Sequence, residues 1–90
     1  SAYLRNQNDV STFELFAKKF FEIGNHNEDK YKRFFCIQGL FAIKNKLAGL
    51  SGDNATKLIE NVNSYGSKLV ESEKDENLKM YYTTYFNFTK

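Results

Sequence analysis

Apolar residues recur every three or four positions along most of the chain, and the polar residues around them divide it into four stretches with helical periodicity. The first opens at Ser11-Thr12-Phe13-Glu14, a capping-box spacing in which Ser11 serves as N-cap and Glu14 reaches back, with Val10 and Leu15 placed as a hydrophobic staple. Phe13, Phe16, Ala17 and Phe20 follow on one side and the i, i+4 series Glu14, Lys18, Glu22 on the other, which predicts a helix over 11–23 that ends at Gly24-Asn25. Residues 1–10 are polar and are expected to be loose. A second helix is predicted over 27–48, with Asn27 as its cap, Glu28 and Asp29 in its first turn and Gly49 as its stop.

The third helix, 54–71, follows cap candidates Ser51 and Asp53 and has one apolar stripe: Ala55, Leu58, Ile59, Val62, Tyr65, Leu69 and Val70. The polar run Glu71 to Asn77 reads as a solvated linker. In the last segment Leu78, Tyr81, Tyr82 and Tyr85 fit a helix, whereas Met80, Tyr82, Thr84, Phe86 and Phe88 alternate as a strand would. A lone strand would have no partner elsewhere, so a helix over 77–88 is expected. The fold class is all-α, a small antiparallel three- to four-helix bundle formed as one domain over 11–90.

Helix 27–48 carries apolar residues on two opposite sides. One side collects Tyr31, Phe34, Phe35, Ile37, Phe41, Ala42 and Ala48. The other collects Cys36, Leu40, Ile43 and Leu47 at the 4, 3, 4 spacing of a heptad seam. Either the helix is sandwiched, with the first helix on its aromatic face and the third or fourth on the seam, or the seam helps line a groove for a partner helix. In the second case Cys36, Leu40, Ile43 and Leu47 are the partner-binding residues, and the flanking Arg33 and Lys44 favour a partner with acidic residues beside its apolar anchors. Ile43→Asp and Leu47→Asp would then weaken association and leave the fold intact.

Composition narrows the function classes. Nine Phe and six Tyr supply too much apolar surface for a disordered chain, and the absence of Pro favours long helices. Thirteen Lys plus Arg against eleven Asp plus Glu give +2, too little excess base to indicate a nucleic-acid binder, although Lys18 to Lys46 carries seven basic and three acidic residues. No run suggests a membrane span or a signal peptide. Cys36 is the only cysteine, so a cytosolic or nuclear setting is the default, and its apolar seam predicts packing rather than nucleophilic chemistry. The single histidine, His26, could with Glu28 and Asp29 form at most part of a metal site and reads more simply as a solvated loop residue. No catalytic constellation, phosphate loop or dinucleotide fingerprint is present, so no enzyme and no cofactor are expected. The sequons at Asn54 and Asn87 are close to chance frequency and leave secretion open.

Within helix 27–48 the run Phe34-Phe35-Cys36, followed by Leu40-Phe41-Ala42, resembles the second helix of microtubule-interacting-and-transport (MIT) domains, particularly the N-terminal one in the cofactor type that serves the ESCRT AAA ATPase. The likeness extends loosely over residues 11 to 72. Two extra residues separate Cys36 from Leu40, and no Asp-Pro opens the helix. The resemblance implies a non-catalytic bundle that takes short C-terminal helices of ESCRT-III subunits in a groove, hence a role in protein transport. Two other classes remain open: a carrier of small apolar ligands, with Gly39 and Gly66 leaving space between helices, and a homodimer closed on the seam.

Overall fold

In the computed structural model of the protein, which describes residues 2–50 and 52–88, the first helix begins far earlier than the Ser11 capping box. It runs Ala2–Gly24 (α1) and is followed by α2 Lys30–Ala48, α3 Asp53–Glu71 and α4 Glu76–Tyr85. Nothing between Ala2 and Val10 breaks a helix: Gly and Pro are absent, and Ala2, Leu4, Arg5 and Gln7 are good helix formers. Ser11 is therefore an exposed mid-helix residue rather than a cap, and the expectation of a loose segment over 1–10 gives way to helix from Ala2 onward.

The cap of α2 is Asp29, whose Oδ1 accepts from the Tyr31 backbone N–H at 2.9 Å. Asn27 sits two residues back. Its Oδ1 accepts from the Asp29 N–H and its Nδ2 donates to the Ile23 carbonyl, so it ties the end of α1 to the start of α2. Glu28 and Asp29 thus precede the helix they were expected to begin. At α3 the cap is Gly52, at φ 115°, and Asp53 falls in the first turn; Ser51 lies outside the described residues.

The fourth segment divides. Asp75 caps α4 by accepting from Asn77 and Leu78, and the helix stops at Tyr85 rather than 88. Phe86 is already extended (φ −119°, ψ 109°), so the strand-like alternation of the sequence is realised only in its last residues. Successive side chains alternate in extended backbone. Phe86 and Phe88 accordingly turn inward, the first half-buried and the second buried, while Asn87 is exposed.

The bundle is all-α, as the periodicity predicts, and no strand occurs among the described residues. Phe21 of α1 stacks on Tyr65 of α3 at 4.8 Å, and Val10 and Ser11 line one cleft with Asn54 and Leu58, so α1 and α3 run in the same direction with α2 antiparallel to both. Their shared core is Ala17, Cys36, Leu40, Ile43, Leu47, Ala55, Leu58, Val62 and Leu69. α4 covers the opposite flank of α2: Phe34 meets Tyr81, Tyr82 and Phe86 at ring distances of 5.6, 6.2 and 6.2 Å.

Candidate interaction surface

The heptad seam of α2 is internal. Leu40 and Leu47 are fully buried and Cys36 and Ile43 nearly so, so the four do not together present an open face; of them only Cys36 reaches the edge of an open cleft. The sandwiched reading therefore holds in outline: α3 lies on the compact aliphatic seam, as that reading allowed, but α1 packs there too, while on the ring-bearing face Phe35 meets Phe20 of α1 and Phe34 receives α4. Helices that approach closely need small or slender side chains between them, and Cys36 lies at such a point: a Cβ added to Gly24 would come within 2.9 Å of the Cys36 Cβ. Burial also pushes the Cys36 thiol above its ordinary pKa, away from thiolate character.

The two cations that were expected to flank a groove are also engaged internally. Arg33 donates through Nε and Nη2 to the two carboxylate oxygens of Glu73 at 3.0 and 2.9 Å, and through Nη1 to the carbonyls of Asn27 and Glu28. Hydrogen bonding to Glu73 raises the guanidinium pKa, with a smaller opposing effect of burial. Glu73 is the feature that the linker reading missed: its side chain is only 1% exposed, and no periodicity or local motif marks it. Burial works against its ionisation, but the Arg33 hydrogen bonds, the Asp75 N–H and the Arg33 charge outweigh that and leave its pKa below the usual carboxylate value. Lys44 donates to the Asn87 carbonyl at 2.5 Å, and burial lowers its pKa.

The exposed apolar surface lies elsewhere, between α1 and α2. Phe20 lies over Gly39, where a Cβ would meet its ring at 2.6 Å, and makes an edge-on contact with Phe35 at 5.8 Å and a tilted one with Phe16 at 6.4 Å. Around it Phe20, Ile23, Tyr31, Lys32 and Phe35 line an open cleft of about 470 Å³ with Cys36 at its base. Phe16 is 51% exposed, Phe35 62% and Tyr31 76%, far more than isolated rings on a well-covered surface need be. The rim is basic. Lys32 lines the cleft, Lys30 stands 5.6 Å over the Tyr31 ring, and Lys19 follows Phe16 by three positions on α1. α2 carries five basic residues and no acidic one.

The sequence held a signal for this surface. Phe16, Phe20 and Ile23 are spaced as a helical stripe beside the core positions Phe13, Ala17 and Phe21, so the apolar arc of α1 is wider than its contact with the bundle requires. The space left by Gly39 and Gly66, which motivated the carrier reading, is filled by the chain's own Phe20 and Phe88 rings. Among the described residues no three His, Cys, Asp or Glu side chains converge as a metal site, and no helix is long and apolar enough to cross a membrane. Comparison with known proteins finds no matching family model, no matching curated protein and no matching solved structure.

Proposed function

We propose that the chain is a helical interaction module without catalysis of its own, and that its α1–α2 cleft receives an amphipathic helix carrying acidic residues beside its apolar anchors. One observation carries this reading: the rings of Phe16, Tyr31 and Phe35 are exposed together around an apolar cleft whose rim bears lysines and whose α2 wall has no acidic residue. An apolar groove of this kind suits the i, i+3, i+4, i+7 anchors of a docked helix, and the lysines favour an acidic one by steering and by orientation. The likeness of α2 to MIT domains supports the same class of ligand, which makes short C-terminal helices of ESCRT-III subunits the first specific partners to try and protein transport the process to look in. The unpaired, buried Cys36 suits a reducing compartment and supports a cytoplasmic location.

The test uses a synthetic helical peptide with Leu at i, i+3, i+4 and i+7 and Glu on both flanks, titrated into the isotope-labelled chain. Amide shifts are expected at Phe20, Ile23, Tyr31 and Phe35. Phe35→Ala and Tyr31→Ala are each expected to weaken binding about tenfold, as for central anchors of an interface, and added salt should weaken it further. Binding that is unchanged in both variants, or that a scrambled peptide reproduces, refutes the assignment.

A further inference from the structure

We propose that the outer face of the layer formed by α1, α2 and α4 binds the surface of an anionic lipid membrane. This face is broader than the α1–α2 cleft and does not depend on the function proposed for the cleft, because it includes Tyr81 and Tyr85 of α4, which line no part of it.

Two neighbouring residues of α2 set the geometry. Phe35 turns to one side, where it meets Phe20 of α1, and Phe34 to the other, where it meets Tyr81 of α4. The three helices therefore lie side by side with α2 in the middle, and α3 packs behind them on the buried seam. The stripe of α2 between its two neighbours faces outward: Tyr31, Phe35, Gln38, Ala42 and Asn45 recur at helical spacing, and all are exposed. Rings stand out on all three helices. Phe16 belongs to α1 and Tyr31 and Phe35 to α2; on α4, Tyr81 and Tyr85 are 42% and 62% exposed, with their rings 4.6 Å apart.

Breadth and charge together select the partner. Packed helices stand about 8–10 Å apart, so from α1 to α4 the face is roughly 20 Å across, whereas a docked helix with its side chains is about 10–12 Å wide. A helix seated between Phe16 and Phe35 leaves Tyr81 and Tyr85 in water; a membrane surface is broad enough to cover all five rings. Lys30, Lys32 and Lys46 are exposed on α2, which has no acidic residue. On α1 Lys19 is spaced with Phe16 and Ile23, while Glu14 and Glu22 lie on the other side. Beside the α4 tyrosines the exposed Asn77 and Thr84 are uncharged. Glu28, Asp29 and Glu76 sit at one end, in or next to the turns. Tyrosine suits a membrane interface, with its ring among the upper acyl chains and its hydroxyl among the headgroups. Lysines reach the lipid phosphates on flexible stems, and each one near an anionic surface strengthens binding about fivefold.

The experiment sediments the chain with vesicles of phosphatidylserine mixed with phosphatidylcholine, and with phosphatidylcholine vesicles as control. Binding to the mixed vesicles is expected to exceed that to neutral ones about tenfold or more, and to weaken about tenfold in Tyr85→Ser and in Lys32→Glu. Added salt should weaken it further. Both variants replace exposed side chains, and a circular-dichroism melt like that of the unmodified chain establishes that each is folded. The acidic helical peptide should bind Tyr85→Ser as it binds the unmodified chain, so the cleft and the broader face fail separately. Three results overturn the proposal: no sedimentation with the mixed vesicles, equal binding to mixed and neutral vesicles, or vesicle binding that Tyr85→Ser leaves unchanged. The last of these, joined with a loss of peptide binding in Tyr85→Ser, would give the face to a protein partner.

Discussion

At the scale of single residues, the burial of the α2 seam reverses an expectation drawn from the sequence. Ile43→Asp and Leu47→Asp would spare the fold if the seam met a partner. With Ile43 at 6% exposure and Leu47 at 0%, each substitution instead places an unpaired charge in the core. The cost is several kcal/mol, a large share of the 5 to 15 kcal/mol typical of a whole domain, so both variants should lose their cooperative melt by circular dichroism; a folded Leu47→Asp chain would contradict the core assignment. Tyr82 poses the opposite case. Its ring is fully buried, its hydroxyl has no hydrogen-bond partner of good geometry, and burial together with the Glu73 charge raises its pKa. Tyr82→Phe removes a desolvated polar group whose nearest acceptor, Glu73, is already engaged by Arg33 and lies outside good hydrogen-bond geometry. The expected outcome in urea unfolding is neutrality or a gain of about 1 kcal/mol.

At the scale of elements, legibility in the sequence followed how local the determining forces were. α3 was readable because its stripe has one period and one face: Ala55, Leu58, Val62 and Leu69 are all buried as the pattern requires. α2 was readable as a helix but not as to which face meets which neighbour. If the seam met a partner, the core would have to form on the aromatic side around Phe34 and Phe41, whereas close helix packing favours the slender Cys36, Leu40, Ile43 and Leu47. Phe35 consequently remains at the surface. The start of α1 was misplaced because a good capping box at Ser11 carries no information about whether the chain before it is also helical. The C-terminal segment held two signals at once, and both are realised, helix to Tyr85 and extended chain from Phe86. Glu73 was illegible, since its role depends on Arg33, forty residues away. The aromatic part of the candidate cleft could be read only in outline, as too wide an apolar arc on α1, because its exposure depends on which faces the other helices leave uncovered.

At the scale of the whole molecule, the Arg33–Glu73 pair joins the α1–α2 turn, α2 and the approach to α4, and it makes the bundle sensitive to acid. The Glu73 carboxylate has a lower pKa in the folded chain than its usual value near 4.5, so in acid the unfolded chain binds the proton first. Its contribution is fully present above that usual value and is lost as the pH falls through the lower, folded value. Arg33 stays charged throughout this range, because the Glu73 hydrogen bonds raise its already high pKa further. Glu73→Gln leaves the guanidinium facing a neutral amide. That should cost about 3 kcal/mol at neutral pH, the low end for a broken buried pair, since Arg33 keeps some access to water. The variant should also lose less stability than the wild type between neutral pH and pH values below the carboxylate range. Urea unfolding of both chains across that range measures the two slopes. Parallel slopes would mean that the pair holds the turn, α2 and α4 together without coupling their stability to the proton.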